Sequence, residues 1–320
     1  MFGFRASRLA PWFIGLSLLL TACSGAAARS ADRTPGGAGT TEREISVGGR
    51  QRTFLVHVPP SYKPGTPVPL VLNFHGGGGN AADQQKNSKM DGLADRHGFI
   101  VVYPNGTGVL RQRFLSFNAG MCCGYAIKNN LDDVGFVRAM LDDLERTYTI
   151  DRTRVYSTGF SNGAIMSHRL GCELSDRIAA IAPVSGPIGI PNCSPSRPVS
   201  VMYFHGTADP AAPYQGGNKK SLVGDDVHTY ASAHDTITGW AKRNRCQLPP
   251  QVTARQGAVT CESYPGCAAN AEVTLCTVQG GGHTWPGGET TISESRVGPL
   301  NRDVSASEMI WQFFSRHRLQ

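Results

Sequence analysis

The pentapeptide Gly159-Phe160-Ser161-Asn162-Gly163 lies between a β-branched, aromatic run, Arg154 to Thr158, and a run from Ala164 to Leu174 with Ile165, Met166, Arg169 and Leu170 at helical spacing. Strand, sharp turn and helix in that order present a serine hydroxyl as a nucleophile. The flanking glycines fit, because such a turn holds the serine in a sparsely populated backbone region and side chains beside it would collide with the crossing strand and helix. A serine attacks an acyl carbon when a base takes its proton and a carboxylate orients the base. Val199 to Phe204 reads as a buried strand that runs into His205-Gly206-Thr207-Ala208-Asp209-Pro210, a turn that lifts Asp209 to the strand's carboxyl end. Glu272 to Val278 reads as another strand, followed by Gly280-Gly281-Gly282-His283. Asp209 and His283 are therefore the expected acid and base for Ser161.

The charge of a tetrahedral intermediate needs aligned N–H donors. Leu70 to Phe74 is an apolar strand delivering His75-Gly76-Gly77-Gly78-Gly79-Asn80. That run is similar to the HGGG-type loop that supplies one backbone donor, the other coming from the residue after the nucleophile. The donors are assigned to Gly77, with Gly76 as the alternative, and to Asn162. Two histidines compete with His283: His75 and His205 each follow a strand in a Phe-His-Gly context, where they brace backbone rather than move protons. His57, His97, His168, His228, His234 and His317 fall outside such loops and read as surface or packing residues. Asp132 and Asp133 precede the helical pattern Val134, Phe136, Val137, Met140, Leu141, and two acids there suit a helix N-terminus. No metal or cofactor is implied, since the histidines lack ligand spacing and no phosphate-binding glycine motif occurs.

The elements that must position these residues alternate. Phe54 to Val58 begins the sheet, followed by strands at 70–74, 99–103, 155–158, 178–184, 199–204 and 273–278. Helical patterns fall between them, and Ser305-Ala306-Ser307-Glu308 forms a capping box before Met309, Ile310, Phe313 and Phe314. The expected fold is α/β, specifically the α/β-hydrolase fold: a mostly parallel sheet with helices on both faces, no internal repeat, and no apolar insertion long enough for a large lid.

Arg5 and Arg8, the apolar run Trp12 to Leu20 and the closing Leu20-Thr21-Ala22-Cys23 read as an export signal over residues 1–22. Leu-Thr-Ala-Cys looks like a lipobox, which would make Cys23 the acylated first residue of the mature chain and the lipid its only contact with a membrane. Ser24 after it lacks an acidic retention signal, so an outer membrane is the address where one exists. Residues 23–41 are small, polar and Gly/Ala-rich and read as a tether, leaving one catalytic domain over 42–320. The net charge of +7 is spread through the chain with no basic stripe, which argues against nucleic acid as a partner.

Beyond Cys23 there are eight cysteines, and an even number in an exported chain suggests disulfides. Cys246 with Cys267 closes a loop of about 20 residues, worth roughly 3 kcal/mol in the chain-entropy model. Cys261 and Cys276 lie in strand-like runs and can pair across them. Adjacent Cys122 and Cys123 have Cα atoms about 3.8 Å apart, shorter than the usual disulfide span, so each is expected to pair elsewhere. Cys122, Cys123, Cys172 and Cys193 then make two bonds with partners left open.

Taken together, His-Gly-Gly-Gly-Gly-Asn at 75–80, Cys-Cys-Gly-Tyr-Ala at 122–126, Asp-Asp-Val-Gly-Phe at 132–136, Gly-Phe-Ser-Asn-Gly at 159–163, His-Gly-Thr-Ala-Asp at 205–209 and Gly-Gly-His-Thr-Trp-Pro-Gly at 281–287 resemble the poly(3-hydroxybutyrate) depolymerase-like esterases. That family also includes feruloyl and acetylxylan esterases and bacterial esterase lipoproteins. The resemblance runs from about Ile45 to Phe314 and implies Ser161, Asp209 and His283 as nucleophile, acid and base. It implies an exported serine esterase, a carboxylic ester hydrolase acting on hydroxyalkanoate-type or other short-acyl esters, with feruloyl or acetylxylan ester hydrolysis as the alternative. A catalytically silent envelope-binding protein is the competing class. Ala164 departs from the family, which often has a second glycine there, and the linker and substrate-binding domains common in secreted polymer degraders are not expected beside the catalytic one. Trp285, two residues past the base, is expected either to wall the substrate pocket or to pack the His283 loop.

Overall fold

A computed structural model describes residues 1–3, 37–110, 112–220, 226–290 and 292–319, all but the first three within the compact unit Arg33–Gln320. The expected signal segment and Cys23 lie outside the described residues, apart from Met1 to Gly3.

Among the described residues twelve strands are formed: β1 Gly39–Val47, β2 Arg50–Val58, β3 Val68–Phe74, β4 Ile100–Pro104, β5 Ile150–Phe160, β6 Ala180–Val184, β7 Ser200–Gly206, β8 Gly217–Lys220, β9 Val227–Tyr230, β10 Gln251–Gln256, β11 Val259–Tyr264 and β12 Val273–Val278. The helices are α1 Ala81–Ser88, α2 Met90–His97, α3 Gly124–Lys128, α4 Asp133–Thr147, α5 Asn162–Glu173, α6 Ala233–Arg243, α7 Glu294–Val297 and α8 Ala306–Phe314. Ten strands make one sheet in the order β1-β2-β4-β3-β5-β6-β7-β12-β11-β10. The six from β4 to β12 run parallel, and each end is closed by an antiparallel pair. β8 and β9 pair only with each other.

Both faces of the parallel strands are buried, and alternation along each strand divides the core in two. Leu70, Leu72 and Phe74 of β3, Ile100 and Val102 of β4, and Val201 and Tyr203 of β7 pack on one face with α4, α5 and α6. Val71, Val101, Tyr103, Met202 and Phe204 point to the other, where α1, α2 and α8 lie. The acids at 132 and 133 do start α4: the Asp132 carboxylate accepts from Gly135 N–H, while buried Asp133 pairs with Arg52 at 2.6 Å. Ser305 caps α8 by accepting from Glu308 N–H.

Three expectations need correction. The sheet begins at β1, not at Phe54, and β1 takes in Gly39 to Thr41 from the segment read as tether; Thr40 Oγ1 lies 2.9 Å from His57 Nδ1. β1 is an edge strand in which no residue is fully buried, and charged Arg43 takes one of its half-buried positions, which hides the apolar pattern. The strand β10, at the other edge, is exposed at every position and carries no apolar run to announce it. Among the cysteines, Cys246–Cys267 and Cys261–Cys276 pair as expected, the second across β11 and β12. Cys122 and Cys123, however, are bonded to each other, which leaves Cys172 to Cys193. Their shared peptide is cis and their Cα atoms are 3.1 Å apart, so the trans spacing that argued for partners elsewhere does not apply. Among the described residues no helix is long and apolar enough to cross a membrane.

Candidate active site

Ser161, Asp209 and His283 follow the carboxyl ends of β5, β7 and β12, where open α/β sheets build their sites. Ser161 has φ 55° and ψ −117°, the strained position between β5 and α5 that the pentapeptide anticipated. Its N–H donates to Val184 O at 2.9 Å, which pins the turn to the end of β6. Gly163 is obligatory for contact rather than conformation: a Cβ there would stand 2.3 Å from Phe74 O.

The Ser161 hydroxyl lies 2.8 Å from His283 Nε2, and His283 Nδ1 lies 2.8 Å from Asp209 Oδ2. A carboxylate only accepts, so Nδ1 carries the proton and Nε2 is free to accept from the serine. Asp209 Oδ1 accepts from the N–H groups of Ala211 and Ala212, both at 2.8 Å. Burial pushes this carboxyl up, but electrostatic attraction by His283 and hydrogen bonds from His205 and His283 favour its ionised form, outweigh burial and hold Asp209 well below the usual carboxylate range.

His205 is buried; its Nε2–H donates to Ala212 O at 2.7 Å, and its Nδ1 accepts from the Tyr203 hydroxyl. His75 donates through Nδ1 to Gly76 O at 2.7 Å and accepts the Gly106 N–H at Nε2 at 3.0 Å. Both thus brace backbone, as their positions suggested. Burial lowers the His75 ring to about 4, and it lowers His168, packed against Trp240 in the core, to about 3. These two neutral rings set an acid limit. Between pH 6.5 and 4.5 the unfolded chain takes up protons that the folded rings refuse, so stability is complete above 6.5 and falls with pH. At about 1.4 kcal/mol per unit for each ring, the loss is of order 5 kcal/mol over that range. Urea titrations at pH 7 and 4.5 check it; an unchanged midpoint would mean that the rings are charged in the fold.

A cavity of about 600 Å³, within the range of small-molecule sites, opens over Ser161 and His283. Gly76 to Gly79 form one wall. The N–H groups of Gly78 and Gly79 are committed to Leu115 O and Gly76 O, whereas those of Gly76, Gly77 and Asn162 have no acceptor among the described residues. Gly77 is beside Asn162: a Cβ on it would be 3.6 Å from Asn162 Cβ. The Asn162 side chain is fully buried, accepting from Phe117 N–H and donating to Phe117 O and Cys122 O, so the first turn of α5 is fixed. Cys122 and Cys123 also line the cavity. Their sulfurs lie with His228 in a group of potential ligand atoms within 4.8 Å of one another, but the two are bonded and neither is the thiolate that a metal binds.

Trp285 is corrected from pocket to packing. It is 1% exposed, its indole N–H donates to Ser307 Oγ at 3.0 Å, and it does not line the cavity. The sequence reading missed Tyr230 on β9, Phe114 and Ile292 in loops, and Arg296 on α7, all of which line it. Only the alternation of Val227-His228-Thr229-Tyr230 hints at a strand there.

Residues 53–218 match the family model described as esterase PHB depolymerase. A feruloyl esterase B of Piromyces equi is 32% identical over 238 residues, 72% of this chain and 42% of that protein. A putative esterase NocK of Nocardia uniformis subsp. tsuyamanensis is 30% identical over 289 residues, 86% of this chain and 82% of its own. The chain therefore spans under half of the first relative and most of the second. Among solved structures, an acetyl xylan esterase from Aspergillus awamori has a TM-score of 0.59, covering 86% of this chain and 99% of its own at 15% identity, a likeness of fold. The fold is accordingly that of the α/β-hydrolases. With the glycine loop, Ser161 and Asp209 all inside the matched stretch, the chain belongs to the esterase PHB depolymerase family.

Proposed function

We propose that the protein is an exported serine carboxylic-ester hydrolase of hydroxyalkanoate-type or other short-acyl esters. The observation that carries this reading is the pair of 2.8 Å contacts linking Ser161, His283 and Asp209 at the floor of the cavity. His283 takes the Ser161 proton as Oγ attacks the ester carbon, and Asp209 holds the imidazole tautomer and stabilises the imidazolium. Gly77 and Asn162 N–H groups receive the oxyanion. His283 then protonates the leaving alcohol, and water releases the acyl group by the reverse proton path. No cofactor enters these steps. Four disulfides support export, and Cys23 is proposed to carry the lipid that ties the protein to the cell envelope.

A second reading, a feruloyl or acetylxylan esterase on plant polysaccharide fragments, is favoured by the activities named for the relatives. Incubation with a fluorophosphonate probe followed by peptide mass spectrometry should place one adduct on Ser161, and His283→Ala should abolish it. A folded, disulfide-intact sample that stays unlabelled would overturn the esterase reading in favour of a binding protein. Specificity constants on methyl ferulate, acetylated sugar and hydroxybutyrate oligomers then rank the substrates.

A further inference from the structure

β9 brings Tyr230 to the cavity wall with the residue 8% exposed. Tyr103, Tyr156, Tyr203 and Tyr214 each have a partner for their hydroxyls. The Tyr230 hydroxyl has none among the described residues. Burial, and then the negative charge of Asp209, push its phenol up to about 12, so it stays a donor at working pH. Facing an open cavity, this hydroxyl can donate to an acceptor that a ligand brings.

Arg296 lines the same cavity and has no carboxylate within ion-pair distance among the described residues; its neighbour Glu294 is taken by Arg302 at 3.7 Å. Its place relative to the base is fixed, because His283 N–H donates to Val297 O and Gly282 N–H to Pro299 O. The carboxylate that lines the cavity, Asp83, stands by Gly79 on the wall of the glycine loop. An anionic group in the cavity is thus repelled by Asp83 and attracted by Arg296. Phe114, Ile165, Ile292 and Val297 also line the cavity and offer apolar surface for a short hydrocarbon spacer.

We propose that Tyr230 and Arg296 form a subsite for a carboxylate that the substrate carries beyond its scissile ester, so that esters with a free acid group are preferred. The inference rests on the esterase reading above and names the substrate class for that site. Two pairs of compounds test it on the full-length exported protein: the linear dimer of 3-hydroxybutyrate as free acid and as methyl ester, with the charge on the alcohol side, and mono-p-nitrophenyl succinate with its methyl ester, with the charge on the acyl side. The expected result is about a tenfold preference in kcat/KM for the free acid in one pair, weakened by salt. Arg296→Gln should erase that preference through KM rather than kcat, Arg296→Lys should keep part of it, and Tyr230→Phe should reduce it several-fold. Acid-to-ester ratios near one in both pairs, or ratios untouched by Arg296→Gln and Tyr230→Phe, would overturn the subsite. Wild-type failure on p-nitrophenyl butyrate as well would instead remove the esterase reading beneath it.

Discussion

Ser161→Ala is expected to lower turnover about 10⁶-fold while leaving a rate roughly 10³ above that in water. The alanine keeps the Cβ and the turn at φ 55°, so strain, cavity and backbone donors all remain. What disappears is the hydroxyl oxygen that sits against His283 Nε2 and can bond covalently to the ester carbon. KM should therefore change little, since the walls that hold the substrate are untouched. Purified variant and wild type compared on one activated ester decide it. A loss under a hundredfold would mean that another group is the nucleophile.

Asp209→Asn should cost about 10⁴ in kcat, and the hydrogen bonds say why. Oδ1 receives two backbone N–H groups, from Ala211 and Ala212, so an asparagine must keep its oxygen there. Its NH₂ then faces His283 Nδ1, where the carboxylate had accepted. Nδ1 is forced to be the acceptor and the ring proton moves to Nε2, pointing at Ser161, so the base is blocked without being displaced. The variant should fold, lose probe labelling in proportion to kcat, and keep its ligand affinity. Activity within a hundredfold of wild type would show that Asp209 does not set the tautomer.

The candidate catalytic residues were legible because each lies just past an apolar run short enough to be only a strand. Runs closing on Phe74, Phe204 and Val278 form β3, most of β7 and β12, and the glycine loop, Asp209 and His283 come soon after them. Packing against both faces makes those runs continuous and easy to see. Edge strands leave no such trace: Glu42, Arg43 and Glu44 in β1 belong to a rim that solvent reaches. The bond between Cys122 and Cys123 was illegible for another reason, since the spacing argument held only for a trans peptide. Trp285 was readable either way because an indole beside the expected base suits a pocket or a core, and only the position of Ser307 decides. Tyr230 escaped because its strand is four residues long and pairs with nothing but another short one.

The contact of α5 with the end of β3 bears on how this molecule can change. With no room for a Cβ at Gly163 against Phe74 O, or at Gly159 against Gly163, the Ser161 turn and the glycine loop meet backbone to backbone. Their spacing does not depend on which side chains fill the cavity. The lining at Phe114, Tyr230, Ile292 and Arg296 comes instead from loops and small elements outside the parallel strands. New acyl or alcohol preferences can therefore arise by substitution at the walls while the reacting atoms keep their places, a separation of parts that suits the protein to laboratory evolution.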